Sequence, residues 1–282
     1  MPELRLSDDE SLFYDCFGRE GNPPVVLLHG FTSTGRMWGA QIDALVHAGY
    51  LAVVPDMRGH GRSSAPEGLD RYGIARYALD VRELLQSIET EICALVGCSF
   101  GGMVALEYAV TFPETLAALV ISDASPAYER PDYDDRFRER ERGMRENEEV
   151  VRKFGAAALG KRLARDIADP FLADGIRERY ARLSSDGFLG AAHTRRERRD
   201  VTGLLGERLT MPVLLCDGDA DPVFCALDVM AQQLPAARVR VFKGAGHGLP
   251  STRPEPFTHE LVDFLRTVED GAPVEGRRIV PA

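Results

Sequence analysis

The segment Gly97-Cys98-Ser99-Phe100-Gly101 constrains this chain more than any other, because of what flanks it. The apolar run Ile92-Cys93-Ala94-Leu95-Val96 before it has the length and composition of a buried strand, and residues 102–109 after it have those of a helix. A serine between the two must sit on a sharp turn at strained backbone angles. Bulky neighbours there would clash with both elements, and glycines supply the room. Strand, tight turn and helix is the setting in which G-x-S-x-G presents a nucleophilic hydroxyl.

The chain around it alternates short apolar runs with amphipathic stretches, the pattern of a mainly parallel sheet flanked by helices. Residues 3–6 and 11–17 read as an opening hairpin. Further strands are expected at 25–29, 51–55, 92–96, 117–122, 211–216 and 239–242, eight in all. Helices are expected at 37–48, 75–88, 223–233 and 255–268. Between residues 124 and 209 the strands stop and charges dominate, with Arg136, Arg138, Glu139, Arg140, Glu141 and Arg142 nearly in succession. Apolar residues return there at helical spacing, so the stretch reads as a helical insertion whose charges form a solvated face. The expected organisation is a core domain from 1–123 and 210–270, the insertion 124–209, and a loosely ordered tail 271–282.

Bulk properties exclude several classes. A net charge of −10 repels nucleic-acid phosphates. No apolar run approaches the ~20 residues that span a bilayer, so no membrane segment is expected. Residues 1–5 lack the basic-then-apolar pattern of a signal peptide. Five cysteines, at 16, 93, 98, 216 and 225, show no metal-type spacing, and an odd count suits reduced thiols. The expected address is cytoplasmic, and a homodimer is left open.

A serine hydroxyl needs a general base within hydrogen-bond reach. Of six histidines, His47 and His259 fall in amphipathic helices, and His193 falls in the charged insertion. His29 and His60 fall in loops, where His29 suits bracing. His247, in the glycine-flanked loop 243–248 after the last core strand, stands at the carboxyl edge of the sheet and is the expected base. The imidazole in turn needs an acid to hold its tautomer. Asp217, Asp219 and Asp221 all follow the strand ending at Cys216. Asp221, just before Pro222, is best placed to reach across, with Asp219 in reserve. Two N–H groups must meet the oxyanion. Phe100, next after the nucleophile, and Phe31, in His29-Gly30-Phe31-Thr32, are the expected donors.

With these segments assembled, the chain resembles the α/β-hydrolase superfamily over nearly its whole length. The resemblance rests on His29-Gly30-Phe31, the Asp56–Ser64 loop, the Gly97–Gly102 turn, Gly218-Asp219-Ala220-Asp221-Pro222 and Gly246-His247, in that order. It implies a mainly parallel eight-stranded sheet with a helical cap at 124–209, and the triad order Ser99, Asp221, His247. It is similar in particular to the serine-nucleophile branch of small carboxylesterases, enol-lactonases and carbon–carbon bond hydrolases. The implied activity is hydrolysis of a small-molecule carboxylic ester or lactone, with no metal or organic cofactor required. Cleavage of vinylogous 1,5-diketones is an alternative, although such enzymes often carry an aromatic residue where Gly248 follows His247. A small-molecule receptor on the same fold is another. Perhydrolase, acyltransferase and lyase chemistries share the fold, whereas its epoxide hydrolases and dehalogenases use an aspartate where this chain has Ser99. Trp38, Phe188 and Leu249 are candidates to line an apolar pocket, though plain core packing is the simpler account of each.

Overall fold

The computed structural model describes residues 3–282, and the first two residues of the expected core domain lie outside the described residues. A hairpin of β1 (Glu3–Arg5) and β2 (Ser11–Phe17) opens the chain. There follow β3 (Pro24–Leu28), α1 (Gly39–His47), β4 (Leu51–Asp56), α2 (Ile74–Ser87), β5 (Cys93–Cys98), α3 (Phe100–Thr111) and β6 (Leu116–Ser122). Four helices come next without a strand between them: α4 (Asp135–Phe154), α5 (Ala156–Leu163), α6 (Pro170–Ala181) and α7 (Ser185–Glu197). A short turn of helix, α8 (Leu205–Arg208), leads to β7 (Val213–Gly218), α9 (Phe224–Gln233) and β8 (Arg238–Phe242). The chain closes with α10 (Leu249–Thr252), α11 (Pro254–Glu269) and β9 (Gly276–Val280).

The strands form one sheet in the order β1-β2-β4-β3-β5-β6-β7-β8-β9, antiparallel at the β1–β2–β4 edge and parallel elsewhere. After β3 the chain first steps outward to β4 and then returns to place β5 on the other side of β3. Such a reversal opens a crevice at the carboxyl ends of the two strands, which is where open α/β sheets bind ligands. The loop carrying Phe31 leaves β3 and Ser99 leaves β5, so both border this crevice.

Central strands are buried on both faces, which explains their nearly continuous apolar runs. Val25 and Leu27 point into a layer with Trp38, Leu45, Phe257 and Leu261, contributed by or next to α1 and α11. Val26 and Leu28 point into the opposite layer with Tyr77, Phe100, Met103 and Leu227, drawn from α2, α3 and α9. A third apolar cluster, with Val151, Leu159, Tyr180 and Phe188, holds α4 to α7 together. Among the described residues no helix is long and apolar enough to cross a membrane.

The expected eight strands are joined by a ninth, and the tail is not loose. β9 pairs in parallel with β8, with Arg238 opposite Gly276 and Phe242 opposite Val280. Arg240 Nη1 donates to the Gly276 carbonyl at 3.0 Å, and Arg278 pairs with Glu260. Only Val280 of β9 is buried. An edge strand with one buried position has no alternating apolar pattern to announce it.

Candidate active site

Ser99 is the pivot between β5 and α3, at φ 54° and ψ −113°. Its N–H donates to the Ser122 carbonyl at 2.8 Å, and its carbonyl accepts the Met103 N–H at 3.0 Å, so the strained residue is pinned from both sides. The flanking glycines are required by space. A Cβ on Gly97 would lie 2.4 Å from the Gly101 carbonyl oxygen, and one on Gly101 would lie 2.2 Å from that of Leu28.

Two further loops converge on the serine. Asp221 follows β7 and His247 follows β8. The two loops are tied by an Ala220 N–H donating to the Ala245 carbonyl at 3.0 Å and by Gly218, where a Cβ would meet that same oxygen at 2.1 Å. His247 Nε2 lies 2.8 Å from Ser99 Oγ, and its Nδ1 lies 2.7 Å from Asp221 Oδ2. The other Asp221 oxygen accepts the Val223 N–H at 3.0 Å. Nδ1 therefore donates to the carboxylate, leaving Nε2 as the acceptor facing the hydroxyl. Burial pushes the Asp221 carboxyl up, but its hydrogen bond to His247 and the imidazole's charge outweigh this and hold it below the usual carboxylate range. Asp219 plays no part here. It accepts the Gly244 N–H at 2.6 Å in the exposed turn.

The loop after β3 closes against the serine, since a Cβ on Gly30 would sit 3.6 Å from Ser99 Cβ. His29 is buried, its Nδ1 donating to the Gly30 carbonyl at 2.9 Å and its Nε2 accepting the Met57 N–H at 2.9 Å. His60 Nε2 accepts the Thr32 N–H at 3.3 Å, and its Nδ1 donates to the Arg58 carbonyl at 3.0 Å. Both imidazoles are neutral braces. Burial depresses both, His60 to about 3 with help from the neighbouring His29. Phe100 opens α3, where a first-turn N–H has no intrahelical acceptor and the helix dipole favours negative charge.

Several features are not predicted by the sequence. Asp123, at φ 55° after β6, is fully buried and accepts the Gly248 and Leu249 N–H groups at 2.8 and 3.1 Å. It lies with Asp221 and His247 in one cluster whose ligand-type atoms are all within 4.8 Å, and burial raises its carboxyl. These atoms are already committed to one another and to backbone amides. The charge run of α4 is only partly a solvated face: Arg136, Arg138, Glu139 and Arg142 are exposed, but Glu141 is buried and Arg140 half-buried. Arg140 Nη2 reaches to 3.4 Å from His247 Nε2. Arg195 lies 5.6 Å from the Phe31 ring centroid, and Arg198 is buried beside it. A signal was present, because Phe137, Glu141, Glu148 and Val151 share one helical face, which is also the buried one.

The pocket candidates divide. Trp38 and Leu249 do not line the crevice. Both are fully buried in the layer beneath α1 and α11, Trp38 packing on Phe257 with ring centroids 6.4 Å apart. The reason is periodicity: the turn before α1 and the start of α10 point their apolar side chains at the sheet. Phe188 is also buried, but it packs on Phe31 at 4.8 Å between centroids and so backs the loop beside Ser99.

The model of one family, described as alpha/beta hydrolase fold, matches residues 23–254. The chain belongs to the alpha/beta hydrolase fold family. Among curated relatives of this alpha/beta hydrolase, a putative 2-succinyl-6-hydroxy-2,4-cyclohexadiene-1-carboxylate synthase of Bacillus subtilis is 27% identical over 276 residues, covering 89% of this chain and 93% of that protein. Epoxide hydrolase A of Mycobacterium tuberculosis is 27% identical over 300 residues, covering 89% and 93%. A thermophilic esterase from Thermogutta terrifontis, solved with malate bound, superposes with a TM-score of 0.80 at 27% identity, covering 95% of this chain and 98% of that one. These alpha/beta hydrolase relatives bear names from different chemistries, so membership of the family does not by itself select a reaction.

Proposed function

We propose that this alpha/beta hydrolase cleaves a small-molecule carboxylic ester or lactone through an acyl-enzyme on Ser99. One observation carries the reading: Ser99 Oγ, the His247 ring and the Asp221 carboxylate form a continuous hydrogen-bonded line at 2.8 and 2.7 Å. As Oγ attacks the carbonyl carbon, its proton passes to His247 Nε2, and Asp221 stabilises the resulting imidazolium. The developing oxyanion settles on the Phe31 and Phe100 amides. Losing one such donor typically costs about 10²- to 10³-fold in kcat. The leaving alcohol takes the proton from His247. Water deprotonated by the same nitrogen then attacks the acyl group, releasing the acid and restoring Ser99.

The helices α4 to α7 serve in this scheme as a cap. Arg140 approaches His247, Phe188 packs on Phe31, and Gly187 abuts Gly59, where a Cβ on Gly187 would lie 2.0 Å from the Gly59 carbonyl oxygen. Two alternative chemistries lack here a residue that their enzymes carry. An aspartate nucleophile has no carboxylate at position 99. An aromatic residue in place of Gly248 would meet a left-handed φ of 88°, which favours glycine there.

The test is a hydrolysis screen of p-nitrophenyl esters of graded chain length, lactones and a dienol-ketone, with wild type and Ser99→Ala in parallel. Ester or lactone turnover that vanishes in the variant supports the proposal. Turnover of the dienol-ketone alone supports the carbon–carbon alternative, and binding with at most very slow turnover supports the receptor alternative.

A further inference from the structure

The acyl-transfer scheme leaves one feature beside the triad unexplained: an excess of buried positive charge contributed by the cap. The buried face of α4 carries Glu141, with Arg140 at its border, while the last turn of α7 carries Arg195, and Arg198 follows the helix. Glu141 accepts Arg195 Nη2 through both oxygens at 2.7 Å and Arg140 Nη1 at 2.7 Å. Among the described residues Arg198 meets no carboxylate. It donates to Ser125 Oγ at 2.8 Å and to the Arg195 and Ala127 carbonyls, and its buried Nε has no partner among the described residues. Three guanidinium groups thus share one carboxylate. Two nearby groups do not make up the difference: the Asp221 carboxylate is committed to His247 and Val223, and the Tyr128 hydroxyl accepts from a further cation, Arg145, at 2.9 Å.

Such a cluster is costly for stability alone, since a buried charge without a counter-charge loses hydration and gains nothing in return. The strain registers on the arginines themselves. Burial, with the neighbouring Arg195 charge, pulls Arg140 down and Arg198 to about 9. An anion would relieve it, and the cluster reaches the residues around Ser99. Arg140 Nη2 is 3.4 Å from the same His247 nitrogen that faces Ser99, and the Arg195 guanidinium stands 5.6 Å from the Phe31 ring centre, on the expected oxyanion loop. A guanidinium fork offers paired parallel donors that match a carboxylate.

We infer that the substrate is anionic, an ester or lactone bearing a free carboxylate, which Arg140 and Arg195 receive beside Ser99 while Arg198 supports them with its charge. This inference rests on the acyl-transfer reading above for the words ester and lactone, but not for the anion site. The site selects among substrates, and it lowers KM for the anionic ones.

The test compares mono-4-nitrophenyl glutarate with 4-nitrophenyl valerate, esters of similar reach that differ in the terminal carboxylate. Wild type is expected to favour the glutarate ester by about tenfold or more in kcat/KM, chiefly through KM, the usual size of a charge-assisted contact. In Arg140→Gln the ratio of the two should fall toward one, and Arg140→Lys should keep part of it. Equal use of the two esters by wild type, or an unchanged ratio in Arg140→Gln, would overturn the proposal. Calorimetric titration with glutarate, inorganic phosphate and neutral glutaramide separates this from the chemistry. Glutarate should bind wild type, bind Arg140→Gln at least about tenfold more weakly, and outcompete phosphate. If neither ester is turned over but glutarate binds in this way, ester hydrolysis is wrong and the anion site stands. If esters are hydrolysed and glutarate does not bind, the reverse holds. Tighter binding of phosphate than of glutarate would overturn the carboxylate assignment.

Discussion

Asp221 holds His247 with one carboxylate oxygen and the Val223 amide with the other, so the acid that orients the imidazole is itself fixed at both ends. Asparagine at 221 would keep the shape but present an amide to Nδ1, favouring the wrong tautomer. Asp221→Asn is expected to lower kcat by about 10³- to 10⁴-fold. Asp219→Asn, which can still accept the Gly244 N–H, should stay near wild type. Steady-state kinetics on a common p-nitrophenyl ester checks both, and a larger loss at 219 than at 221 would reassign the acid.

Gly101 packs where a methyl group would overlap the Leu28 carbonyl at 2.2 Å. Gly101→Ala should therefore cost about 1–3 kcal/mol or more in unfolding free energy, measured by denaturant titration. A fully stable variant would mean that the turn has more freedom than its contacts allow.

His60 provides a pH signature. Its folded form resists protonation, with the ring depressed from 6.5 to about 3, chiefly by burial. Below pH 6.5 the unfolded chain gains protons that the folded chain refuses. Stability is thus complete above that pH and is lost as pH falls from 6.5 toward 3, at up to about 1.4 kcal/mol per pH unit from this one group. His29, depressed in the same direction, adds to the slope. Unfolding free energy should drop by roughly 1 kcal/mol between pH 7 and 5.5 from His60 alone. In His60→Gln the dependence should flatten. An unchanged slope would show that His60 does not remain neutral.

Removing residues 271–282 tests the ninth strand. β9 covers the edge of β8 and buries Val280 against the core, and Arg278 pairs with the nearly fully buried Glu260. The deletion is expected to cost about 2 kcal/mol or more and to lower Tm by several degrees. An unaltered melting curve would make the strand dispensable.

Most of the eight strands legible in the sequence are those whose burial leaves an apolar run, such as 92–96 and 117–122, whereas the opening hairpin is only partly buried. β9 escaped because four of its five positions face outward and its pairing is made by backbone and arginines, which no hydrophobic period records. The convergence of Ser99, Asp221 and His247 was legible because each follows a strand's carboxyl end, where glycines mark the turns. Asp123 was not, since a lone acid after β6 has no motif and its role is to receive amides from a loop 125 residues away. Arg140 and Glu141 were misread for a related reason. Interleaved charges by themselves look the same whether the opposite helix or water receives them, and the sign that separates the two is that Glu141 shares a helical face with Phe137 and Val151. Trp38 and Leu249 show the limit for apolar residues, whose identity says that they are buried but not on which side of the sheet.

The central claim is that Ser99 is the nucleophile. The most direct measurement is reaction with a fluorophosphonate, followed by intact mass and peptide mapping. The account predicts one adduct per chain, located on Ser99, absent from Ser99→Ala and formed far more slowly in His247→Ala. An unmodified Ser99 after prolonged exposure of folded protein, or an adduct that persists in Ser99→Ala, would contradict it.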